Sequence, residues 1–277
     1  MGRLAALLLA GLFLLSGCAG ERGTIVAISR EEGSGTRGAF TQLTGVADHT
    51  GDRTAITSEI TNSTAVMLAT VAGNPYAVGY VSMGVLEGAG VKALPIDGAP
   101  PTPEAVAEGS YPLSRSFYVA AAPDLSPAGE DFLRFLLSDQ GQAVVVEAGY
   151  ISPGSSGPYR GGASGRVVVA GSSSVAPVME RLGEAYTARN PAVSIELQQN
   201  DSTTGLSAAA EGICHLAMSS RALTEEELAA LGEPSVLAVD GIAVIVSPDN
   251  PCQGLSTRQV RGIYLGEITR WEELAGP

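Results

Sequence analysis

The chain has 277 residues, of which 45% are hydrophobic, and its formal net charge is −13. This length and apolar content are enough for one large or two medium domains with a buried core. The charge argues against a nucleic-acid-binding protein, because such proteins carry a basic stripe and Lys92 is the single lysine here. An anion site in so acidic a chain must therefore work through local dipoles and one or two arginines.

Residues 1–18 have the order of a targeting segment. Arg3 gives a short positive region, and Leu4–Leu15 is an apolar stretch too short to span a bilayer. The run Leu15-Ser16-Gly17-Cys18 resembles the bacterial lipoprotein signal, whose cysteine is lipidated. We therefore expect an exported protein with Cys18 as its lipidation site, held at the outer face of the cytoplasmic membrane or in the periplasm. The alternative is an ordinary signal peptide or a buried cysteine.

The first strand–loop–helix unit carries a candidate anion site. Thr24–Ser29 is short, apolar and β-branched, which predicts a buried strand, and a helical pattern follows the loop Gly33–Thr36. A helix N-terminus has free N–H groups and a partial positive charge. Ser34 and Thr36 add hydroxyl donors, and Arg30 adds a fixed charge. The alternative is that Ser34 or Thr36 is only a helix N-cap.

The chain then alternates between strands and helices on both sides of a linker. Before the linker, the predicted strands are 54–57, 77–81, 91–96 and 116–120, and the predicted helices are 65–71, 127–137 and 138–149. Residues 152–165 are turn formers with almost nothing to bury, which predicts the linker itself. After it, the predicted strands are 167–170, 193–198, 213–218 and 236–246, and the predicted helices are 177–187, 206–211, 224–231 and 257–264. We expect Asp240-Gly241 to form a turn within the last strand region.

Five strand ends run into hydroxyl-rich loops that are expected to begin helices. Their central residues are Ser34, Ser63, Ser173, Ser202 and Ser220. Such loops gather at the carboxyl ends of parallel strands, where ligands bind. With Arg30 and Arg221 at two of them, the set indicates a small oxyanion held by backbone N–H and hydroxyl groups.

The residues give little support for catalysis or for a cofactor. The sequence has no Gly-x-Ser-x-Gly elbow, no P-loop and no His/Asp/Glu cluster with metal-ligand spacing. We therefore expect a binding protein rather than an enzyme, with no metal and no cofactor. Cys214 and Cys252 form an even pair in a chain expected to be exported, which suggests a disulfide. The alternative is two separate buried thiols.

Taken together, several motifs resemble the phosphate-binding proteins of bacterial phosphate ABC transporters. They are Arg30–Arg37, Tyr111–Arg115, Ser138–Gln142 with Gly149–Ile151, Gly171–Pro177, Met218–Arg221, Asp240–Val246 and Ile263–Trp271. The resemblance covers nearly all of residues 24–277 apart from the linker. It implies an α/β fold of the type II periplasmic-binding-protein kind, with two lobes, two crossing strands and the ligand in the cleft between the lobes.

The resemblance also implies a ligand set and a function. The phosphate-binding residues carried over are Arg30, Ser34, Gly35, Thr36, Ser173, Ser174, Ser202 and Ser220. The implied function is extracytoplasmic binding of inorganic phosphate by a monomer, with delivery to ABC transporter permease subunits and no nucleic-acid partner. The alternatives are a binding protein for another oxyanion such as sulfate or molybdate, a phosphate sensor or surface protein, and a phosphate-transferring enzyme.

The order of the two halves is reversed relative to that family, which predicts a circularly permuted chain order with residues 152–165 joining the old ends. Lobe A then pairs residues 24–110 with 249–277 and carries the Gly-Ser-Gly-Thr loop. Lobe B spans residues 111–248 and carries the Gly-Ser-Ser-Ser and Ser-Ser-Arg loops. The alternative is a fragment of a tandem fusion that completes itself by dimerising.

A site that prefers phosphate to sulfate needs an acceptor for the proton that phosphate retains near neutral pH. Some family members carry Asp directly after the first serine of the loop that is Ser219-Ser220-Arg221 here, so this chain has Ser220 at that position. Asp201, beside Ser202, is the stronger candidate for a replacement, and Glu59 is the other. The alternative for each is an exposed acid at a helix start.

Overall fold

The computed structural model describes residues 23–274, so the predicted signal segment and Cys18 lie outside the described residues. The strands are β1 Val26–Arg30, β2 Ala47–Asp48, β3 Gly51–Asp52, β4 Glu59–Thr61, β5 Ala77–Ser82, β6 Lys92–Ala93, β7 Ser114–Ala121, β8 Gly165–Ser172, β9 Val193–Asn200, β10 Leu216–Ser219 and β11 Ser235–Val246. The helices are α1 Gly35–Thr44, α2 Thr64–Gly73, α3 Pro103–Ala107, α4 Pro127–Leu136, α5 Asp139–Glu147, α6 Ala176–Arg189, α7 Ser202–Ala210, α8 Glu225–Leu231 and α9 Thr257–Tyr264. Within this part of the chain, no helix is both long and apolar enough to cross a membrane.

A single nine-stranded sheet links the elements in the order β4-β1-β5-β11-β7-β10-β8-β9, with β6 paired to β11. β1 runs parallel to β4 and β5, and β8 runs parallel to β9 and β10. β7 and β11 pair antiparallel with each other and with their outer neighbours. The sheet therefore contains two parallel α/β regions, one on each side of an antiparallel centre.

The buried apolar side chains follow the same division. One cluster combines residues from 28–113 with residues from 242–264, and the others are drawn from 117–238. The sequence prediction assigned residues 111–248 to lobe B. Residues 242–246 instead lie in the first cluster, because β11 continues from β7 onto β5 and carries its last residues into lobe A.

The predicted turn at Asp240-Gly241 is wrong, because both residues lie inside β11. The Asp240 carboxylate accepts hydrogen bonds from Arg115 Nε at 3.1 Å, Arg115 Nη2 at 3.0 Å and the Ser82 hydroxyl at 2.9 Å. Aspartate often lies at the end of a strand, but the Asp240 carboxylate is fully hydrogen-bonded inside β11. Gly241 allows close packing, since a Cβ there would lie 2.3 Å from Met83 Cε.

Residues 152–164 lack regular structure, but this segment is bonded to lobe B. Gly157 accepts the N–H of Asp139 at 2.9 Å. The Tyr159 ring packs edge-on against Phe135 with centroids 5.3 Å apart, and its hydroxyl donates to Asp131 at 2.5 Å. The expectation that this linker has almost nothing to bury is therefore wrong at Tyr159.

Local differences from the sequence prediction occur at short edge strands. The predicted strand at 54–57 is irregular, and the one at 91–96 is reduced to β6. β4 occupies part of the segment interpreted as a hydroxyl-rich loop, and it pairs with β1 at the end of the sheet. β4 and β6 are each held by one neighbouring strand rather than by their own apolar pattern.

Candidate anion-binding site

Several helix N-termini meet where the two lobes face each other. The hydroxyls of Thr36, in the first turn of α1, and Ser174, just before α6, lie 2.7 Å apart. Gly35 lies so close to α7 that a Cβ on it would be 2.2 Å from Ser202 Oγ. Because free N–H groups and positive dipole ends collect here, this cleft favours a negatively charged ligand.

The loop before α1 combines a helix cap with close backbone approach. The Ser34 hydroxyl accepts the N–H of Arg37 at 3.3 Å, which is the N-cap role considered for it from the sequence. Ser34 and Thr36 are both buried. Since Gly35 has no side chain, this loop can bring its backbone N–H groups next to the serines of lobe B.

The loop after β8 leads into a helix that begins without a side-chain cap, although the N–H groups of Ser173, Ser174 and Val175 in the loop itself are paired. No side chain caps α6, whose N-cap position is Val175. The Ser172 hydroxyl accepts the N–H of Ser174 at 3.3 Å and donates to the Ser220 hydroxyl at 2.8 Å. This relay leaves the Ser220 hydroxyl hydrogen available to a ligand, so the Ser-Ser-Arg loop presents a donor to the cleft.

Ser202 and Ser220 form the buried floor of the cleft. Neither side chain is exposed, and the Ser202 hydroxyl accepts the N–H of Ser220 at 3.1 Å. Beneath them, Arg115 Nη1 donates to the Ser220 carbonyl at 3.4 Å while the same guanidinium pairs with Asp240. Burial raises the pKa of the Asp240 carboxyl and lowers that of Arg115, and the ion pair opposes both shifts.

Arg30 is the charged group of the cleft and is 3% exposed. Its Nε and Nη2 donate to the Glu31 carboxylate at 2.9 and 2.8 Å, which fixes the plane of the guanidinium. The remaining edge faces two hydroxyls, with Nη1 at 3.3 Å from Thr64 and Nη2 at 3.3 Å from Ser173. Arg30 thus bridges α2 of lobe A and the α6 loop of lobe B.

Sequence reasoning missed Thr64, Ser172 and Arg115 as residues of this cluster. It centred the loop before α2 on Ser63, whose hydroxyl instead caps α2 by accepting the N–H of Val66 at 3.4 Å. Thr64 was next to it in the same loop. Ser172 and Arg115 stood within the motifs that carried the family resemblance, but their contacts depend on the fold.

Arg221 lies outside the hydroxyl cluster. Its guanidinium makes two hydrogen bonds of 2.7 Å to the Glu227 carboxylate, and it also donates to the Thr203 hydroxyl at 3.0 Å. Burial acts to raise the pKa of Glu227, but these bonds outweigh it and hold that pKa below its usual value. Arg221 therefore belongs to an ion pair at the mouth of the cleft.

The two acids considered as proton acceptors are placed differently. Asp201 is the N-cap of α7, and its carboxylate accepts from the Thr204 N–H at 2.8 Å and the Thr204 hydroxyl at 2.6 Å. It lies against Gly33, where a Cβ would be 2.2 Å from Asp201 Oδ1. Glu59 is exposed on β4. Asp201 thus caps α7, and its role as a proton acceptor stays a prediction, while Glu59 lies apart from the buried hydroxyls.

The predicted disulfide is wrong, because Cys214 and Cys252 are free thiols in the structure. Cys214 is buried in the cluster that packs α7 against β8 and β10 in lobe B. Cys252 follows β11 and packs against the core of lobe A. The two residues therefore belong to different lobes.

This two-lobed α/β architecture, with helix N-termini and hydroxyls facing one cleft, is that of an extracytoplasmic solute-binding protein. The family described as PBP superfamily domain matches residues 16–140 and 158–277. The phosphate-binding protein PstS 2 of Streptococcus agalactiae is 43% identical over 283 residues, covering 96% of this chain and 95% of the relative. PstS 2 of Streptococcus pneumoniae is 42% identical over 258 residues, covering 91% and 88%.

A crystal structure of the phosphate-binding protein of a phosphate ABC transporter from S. pneumoniae matches with a TM-score of 0.71 and 41% identity, covering 91% of this chain and 100% of that one. The chain therefore belongs to the PBP superfamily and, within it, to the family of the PstS proteins. The predicted periplasmic-binding-protein-like α/β fold is confirmed. The circular permutation stays a prediction.

Proposed function

We propose that this chain binds inorganic phosphate outside the cytoplasm and delivers it to an ABC transporter. The observation that carries the proposal is the buried cleft in which Arg30, serine and threonine hydroxyls and helix N-termini face one another. A small tetrahedral oxyanion has acceptors in several directions and matches these converging donors. The relatives with the same fold carry the name phosphate-binding protein.

Each of the eight carried-over residues has a role in the proposed site. Arg30 supplies the charge, and the backbone N–H groups around Gly35 and the free end of α6 supply dipoles. The hydroxyls come from Ser34, Thr36, Ser173, Ser174, Ser202 and Ser220, and the structure adds Thr64 as a ninth candidate. Ser34 would combine ligand binding with its cap role, because its hydroxyl already accepts the N–H of Arg37.

The relatives are named as binding proteins rather than as enzymes. The cleft agrees with that reading, because the hydroxyls of Thr36, Ser172 and Ser220 hydrogen-bond to other hydroxyls rather than to a general base. A serine without such a base is a weak nucleophile. Turnover of a chromogenic phosphomonoester by the purified protein would contradict the binding role.

Attachment to the membrane through a lipid on Cys18 and a monomeric state are further parts of the proposal. Both follow from the sequence pattern and the family resemblance. Metabolic labelling with a fatty acid, compared between the wild type and Cys18→Ser, tests the anchor. Light scattering of the protein without its signal segment tests the monomer.

The test of function is calorimetric titration with phosphate, sulfate and molybdate, together with native mass spectrometry of the purified protein. We expect heat with phosphate and a copurifying mass of one phosphate. Tighter binding of sulfate or molybdate would assign another oxyanion. The absence of heat with every oxyanion would favour a sensor or surface protein that has kept the fold without the ligand.

A further inference from the structure

A buried ion pair lies between the floor of the proposed site and the junction of the two lobes. β11 pairs with β7 as far as Gly241 and with β5 from Ile242 onward, so the chain passes from lobe B into lobe A at this point. Asp240 comes directly before the passage and lies opposite Arg115 of β7 in the strand register. The two side chains are 1% and 3% exposed. Burying two charges is costly even when they are paired, so stability alone does not explain the pair.

The two members of the pair contact different lobes. The Asp240 carboxylate accepts the hydroxyl of Ser82, the last residue of β5 in lobe A, at 2.9 Å. Arg115 donates from Nε and Nη2 to Asp240 at 3.1 and 3.0 Å, and from Nη1 to the Ser220 carbonyl in lobe B at 3.4 Å. Because the guanidinium is planar, its two bonds to Asp240 fix the direction of the third donor. A continuous chain of contacts therefore connects lobe A with the floor of the cleft.

Ser220 is held at three different atoms. Its N–H donates to the Ser202 hydroxyl at 3.1 Å, its Oγ accepts the Ser172 hydroxyl at 2.8 Å, and its carbonyl accepts from Arg115. Together these contacts fix the orientation of the residue, and with it the direction of the hydroxyl hydrogen that is left for a ligand. A buried carbonyl without a donor is unfavourable, so loss of the Arg115 contact would let Ser220 turn about the other two.

Aromatic side chains also hold the guanidinium of Arg115 in place. Its carbon Cζ lies 5.0 Å from the centroid of the Phe117 ring, and the Tyr150 ring packs against Phe117 with centroids 5.6 Å apart. Tyr150 in turn fills the space beside Gly84 of lobe A, where a Cβ would overlap its ring. Arg115 is therefore enclosed between a carboxylate, a ring and the Ser220 carbonyl, and its position depends on both lobes.

We infer that Arg115 is a positioning residue for anion binding, which holds Ser220 in the orientation that presents its hydroxyl hydrogen to the ligand. This inference rests on the proposed phosphate-binding function. The three nitrogens of Arg115 are directed at Asp240 and at the Ser220 carbonyl, and Asp240 balances its charge. Arg115 therefore acts through Ser220 rather than as a second cation of the site, and Asp240 keeps it in register with the lobe junction.

The test separates affinity for phosphate from stability. Arg115→Met combined with Asp240→Leu removes both buried charges, so this double variant should unfold at nearly the wild-type denaturant concentration. It also removes the donor to the Ser220 carbonyl, so calorimetry should show phosphate binding about tenfold weaker, most of the effect of one hydrogen bond to a charged group. A purely structural ion pair would instead let affinity recover together with stability. Wild-type affinity in the folded double variant would overturn the inference.

A coupling measurement shows whether Arg115 acts through Ser220. Ser220→Ala removes the hydroxyl and should weaken phosphate binding by itself. Adding Arg115→Met and Asp240→Leu to Ser220→Ala should then weaken binding by less than about twofold more, because the group that is positioned is already absent. Additive losses would mean that Arg115 acts by another route, and they would also overturn the inference.

Arg115→Lys decides the question if the double variant does not fold by circular dichroism. Lysine keeps a cation beside Asp240 but lacks the planar fork that reaches Ser220, so phosphate binding should weaken about fivefold, and unchanged affinity would overturn the inference. Asp131→Asn is the control for lost stability, because this buried carboxylate bonds Tyr159 and Tyr186 within lobe B. It should bind phosphate as the wild type does. Failure of the wild type to bind phosphate would instead overturn the proposed function.

Discussion

At the scale of single residues, Arg30 has the most demanding environment in the cleft. Its guanidinium is almost fully buried, and Glu31 takes only one edge of the donor fork. The other edge is held by long contacts of 3.3 Å to Thr64 and Ser173, which are weak hydrogen bonds. An anion replacing or joining these hydroxyls would accept shorter, charge-assisted bonds.

Arg30→Ala should therefore weaken phosphate binding by about 2–5 kcal/mol, the range for truncating one partner of a buried charge pair. Calorimetry measures this, with Arg166→Ala as the control, since that side chain is 63% exposed and pairs with Glu196 on the surface. The control should bind as the wild type does. An unchanged dissociation constant for Arg30→Ala would remove this residue from the site.

Residue types and their places in the loops could be predicted at this scale, but their partners could not. Ser34 and Thr36 were expected in a helix-start loop, and they are there. The partner of Thr36 is Ser174, which is 138 positions away, and that contact requires both lobes. The contacts of Gln199 and Asp201 are likewise a property of their surroundings, because the letters Gln199-Asn200-Asp201 do not show that the first side chain reaches Glu180 while the last caps α7.

At the scale of elements, the linker is held by a buried carboxylate on α4. Asp131 is 1% exposed and accepts hydrogen bonds from the hydroxyls of Tyr159 and Tyr186 and from Arg134. Burial acts to raise the pKa of Asp131, but the hydrogen bonds outweigh it, and the pKa lies below its usual value. The linker is therefore fastened by an ionised group.

Asp131→Asn should lower the free energy of unfolding by about 1–3 kcal/mol at neutral pH, because the tyrosine hydroxyls lose a charged acceptor. A carboxyl with a lowered folded pKa stabilises above the unfolded pKa of about 4, and this contribution is lost as pH falls through the folded value. The difference between wild type and variant should therefore shrink below about pH 4. Urea denaturation at several pH values measures it.

Glu130→Gln is the control for that experiment, because Glu130 is 59% exposed on the same helix and contacts Arg134 only at 4.0 Å. It should change the unfolding free energy little at any pH. A difference between wild type and Asp131→Asn that stays constant from pH 7 to pH 3 would contradict the ionised tether.

The paired strands β7 and β11, which connect the two lobes, contain the buried ion pair Arg115–Asp240, with side chains 3% and 1% exposed. Arg115→Met leaves Asp240 without its cation and should cost about 3–5 kcal/mol of unfolding free energy. Arg115→Met combined with Asp240→Leu removes both charges and should recover most of that loss. Chemical denaturation of the two variants tests this, and a double variant no more stable than the single one would argue against a charge effect.

Most helices and strands could be predicted from periodicity and capping residues, while the short strands and the passage of β11 between the lobes could not. The helix α8, predicted at 224–231, begins with a capping box at Thr224. β4 has only three residues and leaves Ile60 exposed, so no apolar face marked it. Asp240-Gly241 has the letters of a turn, and only Arg115 and Met83, which are distant in sequence, make it part of a strand.

At the scale of the whole molecule, the structure shows the lobes in contact across the cleft. The Gly33 carbonyl accepts the N–H and the hydroxyl of Thr203, both at 3.3 Å. Gly35 and Gly33 both lie where a Cβ would overlap a side chain of lobe B. Closure of the lobes therefore depends on the absence of side chains along this loop.

Gly35→Ala should hinder closure, since the added Cβ would lie 2.2 Å from Ser202 Oγ and 2.6 Å from Ser220 Oγ. We expect phosphate binding to weaken by about 1–3 kcal/mol, the usual cost of overpacking. Small-angle scattering should show less compaction at saturating phosphate than in the wild type. Gly73→Ala is the control, because no atom lies within 4 Å of a Cβ there. Wild-type affinity in Gly35→Ala would contradict this view of the closed cleft.

The passage of β11 through both lobes also constrains the order in which the chain can fold during synthesis. Residues 114–241 form the elements of lobe B without interruption, so this region can complete its core as soon as it has emerged. Lobe A is translated first, yet its core includes Ile242–Val246 and Tyr264. We therefore expect the half that is made first to finish folding last, with its apolar surface exposed in the meantime and dependent on chaperones or on export in the unfolded state.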